Sequence, residues 1–341
     1  TRFSKYITSA GVDFRIYSSS DNGVIYVDNI VVSEVKTDTP RIDFTDNTDG
    51  HLLLEPQSTN LITYSEDFSQ GDWIKNNTSV SANNTTSPSG IINAYKLIED
   101  TSNSQHSIYD NVSWTSGQEY TFSAFAKKDE RNILAFVFPY TAFGAWKYVS
   151  FNLENGTTIT VDSGVTANIE DYGNGWYRCS ATSTPNATTT ADMTMKIQLI
   201  GNTQGESYLG DGTSGIYIWG CQLEDLPYPT SYIPTNSSTV TRDADTCTGA
   251  GSSADFNSEE GVLYVEINAL SYPTDLNSWL TITDSTANNS VGIVFETTPY
   301  ITGRVEVGGV NQAYLANNVD YSNFVKVAVK YKANDFALWI N

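Results

Sequence analysis

Residues 120–153 read YTFSAFAKKDERNILAFVFPYTAFGAWKYVSFNL, and the pattern of this stretch indicates the fold class. It contains three runs rich in aromatic and β-branched residues, at 120–127, 134–140 and 146–153. Such residues favour the pleated, half-buried surface of a strand, whereas the Asp, Asn and Gly residues between the runs favour turns. We therefore predict three successive β-strands in this stretch.

The first of these runs has two faces of different composition, because side chains alternate between the two sides of a strand. We predict that the more apolar face is core and that the other face is partly in contact with water. The apolar face consists of Tyr120, Phe122, Ala124 and Ala126. The other face consists of Thr121, Ser123 and Phe125.

Similar runs recur along the rest of the chain. Further strands are predicted at 157–161, 176–182, 193–200, 215–223, 261–269, 279–283, 291–296, 302–307 and 325–340. No convincing 3.6-residue periodicity lies between them. Many short strands separated by turn signals indicate a sandwich or barrel. The predicted fold class is therefore all-β, made of β-sandwich or barrel modules.

A near-repeat in the sequence supports a tandem arrangement. Residues 12–35 (VDFRIYSSSDNGVIYVDNIVVSEV) and 195–226 (MKIQLIGNTQGESYLGDGTSGIYIWGCQLEDL) each contain an alternating strand, a turn-rich loop and a similar closing strand. A repeated closing strand indicates a repeated domain. Because the first copy starts so early, we expect the chain to begin within a larger protein. The alternating run at 325–341 predicts the same for its other end.

These patterns divide the chain into five predicted segments. They are the end of a first β-sandwich module (1–35), a connector (36–58), a middle all-β module (59–235), a linker (236–258) and an incomplete β-sandwich (259–341).

Composition and charge narrow the classes of function. Of the 341 residues, 39% are hydrophobic and 12% aromatic, which is enough to build packed cores. The net charge of −21 repels phosphate groups, and no basic stripe is present, so nucleic acid and anionic membranes are disfavoured as partners. No apolar run is long enough to predict membrane insertion. The three cysteines form no CxxC pair and indicate no disulfide framework.

A series of motifs follows a fixed order over about residues 40–245. The motifs are PRIDF from Pro40, HLLLEPQSTNLITYSEDFS from His51, YTFSAFAK from Tyr120, GNGWYR from Gly173, YLGDGTSGIYIWGCQLE from Tyr208, PTSYIPT from Pro229 and VTRDAD from Val240. Together they resemble a module of tailed-phage virion and prophage proteins. That resemblance implies that residues 59–235 form a carbohydrate-binding-like jelly roll. The runs EEGVLYVEI and YKANDFALWIN are similar to those of a laminin-G or concanavalin A-like sandwich.

The resemblance also implies a location and partners. Modules of this family occur in tail fibres, tailspikes and head fibres, so the expected location is the virion, at the particle surface or tail. The expected partners are other virion proteins, a host cell-surface glycan and further copies of the chain, with a trimer favoured.

Nothing in the sequence points to catalysis. The two histidines, His51 and His106, suggest neither a Ser-His-Asp set nor a zinc site. A glycosidase needs only two carboxylates, but no local motif marks such a pair. We therefore expect a structural, non-enzymatic protein that presents its modules for glycan attachment. A purely architectural virion protein and a glycan depolymerase are the alternatives.

Exposed aromatic side chains are the candidates for glycan binding, because sugar rings stack on them. The segment PYTAFGAW at 139–146 supplies Tyr140, Phe143 and Trp146, and Trp114 and Tyr109 are a second choice. The architectural alternative predicts that the first three are buried.

A structural calcium ion is the one metal that the resemblance implies, and no cofactor is required. Calcium takes six to eight oxygen ligands. Glu66 and Asp67 lie at the predicted first strand of the module, and Asp211 lies in the loop before its last strand. Asp211 also fits a simple turn residue within Gly-Asp-Gly, which we favour.

Overall fold

The computed structural model describes residues 41–43, 51–193, 195–201, 205–245, 254–269, 278–284, 286 and 288–341. The predicted end of a first module, at 1–35, lies outside these residues. In the part of the chain that the structure describes, no helix is long and apolar enough to cross a membrane.

Short antiparallel strands dominate residues 41–245, as the composition predicts. In chain order the elements are β1 (Arg41–Asp43), β2 (His51–Leu53), β3 (Ser58–Asn60), β4 (Ile74–Asn76), β5 (Thr78–Thr86), β6 (Ile92–Glu99), β7 (Asn103–Ser104), β8 (His106–Tyr109), β9 (Asn111–Trp114), β10 (Tyr120–Lys128), β11 (Ile133–Phe138), α1 (Tyr140–Phe143), β12 (Lys147–Asn152), β13 (Thr157–Val161), β14 (Val165–Asp171), β15 (Trp176–Ser183), β16 (Thr189–Met193), β17 (Lys196–Leu199), β18 (Tyr208–Leu209), β19 (Gly215–Glu224) and β20 (Val240–Arg242).

Two six-stranded sheets form a sandwich. Sheet I has the order β14-β15-β10-β19-β6-β5, and sheet II has the order β13-β12-β11-β17-β8-β4. The chain crosses between the sheets repeatedly, for example from β10 in sheet I to β11 in sheet II. This arrangement is jelly-roll-like and confirms the predicted all-β sandwich fold.

The core lies between the two sheets, and alternation within the strands explains which residues reach it. Phe122 of β10 and Phe136 of β11 meet edge to face across the sandwich, with their ring centroids 4.9 Å apart. Phe151 of β12 packs on Phe136 from the neighbouring strand, at 5.2 Å. All three are fully buried, and burying such a side chain stabilises a fold by roughly 1.5–3 kcal/mol.

The second face of β10 is dry, so the prediction that it contacts water was wrong. Thr121, Ser123 and Phe125 are all at most 3% exposed. The chain after β19 returns over this face: Thr121 Oγ1 donates to the carbonyl of Leu226 at 2.7 Å. The ring of Tyr232 packs on Phe125 with centroids 6.0 Å apart. A remote segment therefore covers positions whose polar residues suggested solvent.

The predicted strand at 134–140 ends earlier, at Phe138. Pro139 has extended dihedral angles and precedes the four-residue helix α1. Gly144 then closes this turn with a φ of 72°, a left-handed conformation that glycine adopts without steric cost.

Residues 260–341 build a separate sandwich. Its strands are β21 (Glu260–Ile267), β22 (Ser278–Thr283), β23 (Ser290–Phe295), β24 (Tyr300–Val307), β25 (Val310–Asn318), β26 (Val325–Lys332) and β27 (Ala337–Ile340). They form the sheets β21-β26-β27 and β22-β23-β24-β25. Ile293 and Ile301 from one sheet share a core with Val327 and Val329 from the other.

The single strand predicted at 325–340 is two strands, β26 and β27. Asp335 N donates to the carbonyl of Lys332 at 2.9 Å, and Asn334 adopts a φ of 60°. Asn tolerates this left-handed conformation better than most residues, so the local sequence ANDF forms a tight turn.

Candidate functional site

The segment 139–146 places its three aromatic side chains by means of α1. Phe143 N donates to the carbonyl of Pro139 at 3.1 Å, and Gly144 N to that of Tyr140 at 2.8 Å. This single helical turn separates the directions in which Tyr140 and Phe143 point. The chain then enters β12, with Trp146 immediately before the strand.

Two of the predicted glycan-binding residues lie in the core. Phe143 is 4% exposed and Trp114 is fully buried, and their rings meet edge to face at 5.1 Å. Phe143 also packs on Phe138 at 4.7 Å. Neither ring offers a face to a ligand, so these two predictions are corrected: burial of apolar area stabilises them inside the sandwich.

Tyr140 and Trp146 are at the surface, as a binding role requires. Tyr140 is 57% exposed and Trp146 is 44% exposed. Lys196 of β17 extends over Trp146, with its Nζ 4.8 Å from the ring centroid. This cation–π contact holds the indole in place while much of its surface stays in solvent.

The register of the strands shows which residues lie beside Trp146 on the outer face of sheet II. Tyr148 of β12 is opposite Val137 of β11, and Val137 is opposite Lys196. The pairing of β17 with β8 makes Lys196 and Tyr109 the next facing positions. The structure thus brings Tyr109, a second-choice candidate, into one row with the lysine that contacts Trp146. We call this row, together with Trp146, the Trp146 face.

Sequence reasoning missed Lys196 and Glu206 as parts of this surface. Glu206 and Tyr148 line a cavity of about 90 Å³ beside the row. Burial lowers the pKa of Lys196, and the charge of Glu206 opposes that shift. Burial, with Glu206 as a second cause, raises the pKa of Tyr148. Alternation in β17 was the available signal, since it directs Ile197 and Leu199 inward and Lys196 outward.

These groups suit hydrogen bonding and stacking. An indole face, a phenol, an ammonium and a carboxylate can stack on a sugar ring and hydrogen-bond to its hydroxyls. The Trp146 face combines an exposed aromatic side chain, held by Lys196, with neighbouring charged groups of both signs.

The three calcium candidates are occupied by hydrogen bonds from the protein. Glu66 accepts from the Asn93 amide at 3.0 Å. Burial opposes ionisation of Asp67, but hydrogen bonds from Gln70, Ser69 and Tyr95 outweigh it and lower the pKa of this carboxyl to about 2.

Asp211 is a turn residue, as the Gly-Asp-Gly sequence suggests. Its carboxylate accepts from Ser214 Oγ at 2.6 Å and from the backbone N–H groups of Thr213 and Ser214, and these bonds lower its pKa. Among the residues described, no three His, Cys, Asp or Glu side chains form a group suited to a metal ion. The calcium ion stays a prediction.

The most buried acidic groups of the sandwich have structural partners. Glu99 is 1% exposed and binds both Nε and Nη2 of Arg131, at 2.8 and 2.5 Å. Tyr208 Oη donates to the same carboxylate at 2.7 Å. Glu224, fully buried, accepts from Ser58 Oγ at 2.6 Å and from Thr230 N at 3.0 Å. These carboxylates hold loops and chain ends to the sheets.

Comparison with known protein families finds no family model that matches this chain. Comparison with curated proteins likewise finds no significant match. The resemblance to virion appendage modules therefore stays a prediction that depends on the motifs quoted above.

Proposed function

We propose that this chain is part of a phage virion appendage and that it presents β-sandwich modules for attachment to a host-surface glycan, without catalysis. The proposal combines the sequence resemblance with the chemistry of the Trp146 face. Other virion proteins and further copies of the chain, in a trimer, are the proposed neighbours.

One observation carries the glycan-binding part of the proposal. Trp146 is 44% exposed while Lys196 is stacked on its ring at 4.8 Å. A large aromatic side chain that is held rigidly yet remains exposed loses little conformational entropy when a ligand stacks on it. Tyr140, 57% exposed, is a second surface aromatic side chain of the same segment.

The architectural alternative is less well supported by this geometry. It requires Tyr140, Phe143 and Trp146 to be buried, and only Phe143 is. The depolymerase alternative requires two carboxylates that converge in a groove, at roughly 5–10 Å for a hydrolase. Glu99 and Glu224, the most deeply buried carboxylates of the sandwich, instead bind protein donors.

A glycan-array screen of the whole chain tests the proposal. We expect specific binding that falls at least about tenfold in Trp146→Ala, because loss of one stacking contact costs on the order of 1.4 kcal/mol. Trp339→Ala is the matched control, since Trp339 is 52% exposed in the other sandwich. Equal binding by wild type and Trp146→Ala, or no binding by the folded wild type, would contradict the proposal.

A further inference from the structure

A second concave site lies at the outer face of sheet I, away from the Trp146 face. It is a cleft of about 440 Å³ between the β5–β6 turn and the β14–β15 turn. This volume falls in the range of about 300–1,000 Å³ typical of ligand clefts. Thr85, Thr86 and Lys127 line it together with Tyr172, Asn174 and Trp176.

The aromatic part of the cleft is rigid. Tyr172 is 48% exposed, and its ring stands edge-on against buried Phe125, with centroids 4.8 Å apart. Trp176 is 2% exposed, and its indole Nε1 donates to the carbonyl of Thr86 at 2.9 Å. That bond ties the β5–β6 side of the cleft to the β14–β15 side. Tyr172 therefore offers a fixed exposed ring beside a preformed hollow.

The turn after Tyr172 is shaped by three left-handed residues. Gly173, Asn174 and Gly175 have φ values of 75°, 53° and 78°. Lys127 Nζ donates to the carbonyl of Asn174 at 2.8 Å, which places the ammonium at the rim of the cleft. An ammonium has three donors, so two remain for further acceptors after this bond.

Charge indicates which ligand the cleft prefers. Lys127 is the one charged side chain among the described residues that line it. The chain as a whole carries a net charge of −21, so a cationic rim without a lining carboxylate is a local exception. An ammonium beside a stacking ring and threonine hydroxyls complements a sugar ring that bears a carboxylate.

We propose that this cleft binds a carboxylate-bearing sugar unit, whose ring stacks on Tyr172 and whose carboxylate accepts from Lys127. The inference shares with the proposed function the idea that this sandwich binds saccharide, but it uses different residues and a different ligand charge.

Calorimetric titration of the whole chain tests the inference with a matched pair of ligands: a tetragalacturonate and its methyl ester, which keeps the rings and removes the charge. We expect the tetragalacturonate to bind. The methyl ester should bind at least about tenfold more weakly, since a charge-assisted hydrogen bond is worth at least 1.4 kcal/mol. Tyr172→Ala and Lys127→Met should each weaken binding of the tetragalacturonate by a similar factor. Tyr172→Phe, which keeps the ring, should bind it as wild type does and controls for the structural contact with Phe125.

Three results would overturn the inference: no binding of the tetragalacturonate, equal affinity for its methyl ester, or binding that neither Tyr172→Ala nor Lys127→Met changes. Trp146→Ala separates the two proposals. If tetragalacturonate binding survives Trp146→Ala and is lost in Tyr172→Ala, the cleft is the site that binds tetragalacturonate. That conclusion holds for either outcome of the glycan-array screen. If the reverse holds, the cleft proposal fails and the Trp146 face is the saccharide site.

Discussion

Asp110 shows how a single buried carboxyl affects stability. It is 6% exposed between β8 and β9, and burial raises its pKa to about 6. Because the folded-state pKa exceeds that of the unfolded chain, its contribution is fully present below about pH 4 and is lost as pH rises through 6. Asp110→Asn should therefore raise the free energy of unfolding at pH 8 by up to about 3 kcal/mol, and by almost nothing at pH 4. Urea unfolding at the two pH values measures this.

Asp67 supplies a control of opposite sign for that experiment. Its pKa of about 2 means that its ionised form is stabilised by the fold, so its contribution is present above about pH 4 and is lost as pH falls through 2. Asp67→Asn should lower the free energy of unfolding at pH 8. A gain in stability from Asp110→Asn that did not depend on pH would contradict the assignment.

Among the predicted binding residues, sequence identified the aromatic segment but not which rings are exposed. Tyr140, Phe143 and Trp146 are all aromatic and lie within seven positions. The four-residue helix α1 determines which of these rings are buried, because it directs Phe143 onto Trp114 and leaves Tyr140 exposed at the surface. A single helical turn inside an all-β chain leaves no periodicity to detect, so this difference depends on tertiary contacts.

At the scale of elements, Arg178 of β15 holds residues 226–235, the segment that returns over β10, on sheet I. It is 6% exposed, and its Nη2 donates to the carbonyl of Thr230 at 2.7 Å and to Ser123 Oγ at 3.1 Å. Lysine cannot reproduce the planar donors of arginine. Arg178→Lys should lower the free energy of unfolding by about 1.5–3 kcal/mol and should speed proteolysis within residues 226–235. Urea unfolding and mass-mapped limited digestion measure both effects.

Lys128→Ala is the matched control for Arg178→Lys, because Lys128 is a partly exposed residue at the end of β10 in the same sheet and pairs with the partly exposed Glu154 at 2.6 Å. Surface pairs of this kind contribute about 0–1 kcal/mol, so this variant should unfold and digest almost as wild type does. Identical digestion of Arg178→Lys and wild type would show that other contacts hold the segment.

The strands themselves were largely predictable, because alternation and turn residues are local signals. The strand at 157–161 has its predicted bounds, and β10, β15 and β19 differ from prediction by one residue at their ends. The prediction that the second face of β10 contacts water was wrong. Thr121 and Ser123 are polar residues that suggest a solvent-facing position, but residues about 105 positions later in the chain cover them. The local sequence pattern determines where strands form. Contacts with segments that are distant in the sequence determine which strand faces are shielded from water.

For the molecule as a whole, the hydrophobic contacts form separate cores for residues 60–233 and 260–341. The largest buried cluster draws on sheets I and II, and another draws only on β21–β27 and adjoining loops. The chain enters and leaves the sandwich of sheets I and II at one place, where β3 pairs with β20 and Glu55 binds Arg242 at 2.5 Å. A sandwich whose two ends are joined in this way has the contacts it needs for independent folding.

Excision of residues 51–245 tests that independence. We expect the fragment to unfold in one cooperative transition, within a few degrees of the matching transition of the whole chain, because its core and its β3–β20 pairing are intact. Arg242→Ala in the same fragment should lower the midpoint, since it leaves the 6%-exposed Glu55 carboxylate without its cation, at a cost of about 3–5 kcal/mol if that site stays dry. Differential scanning calorimetry of the three proteins measures this. A fragment that unfolds without a transition would mean that the sandwich of sheets I and II depends for its stability on residues outside 51–245, such as β1, the partner of β2.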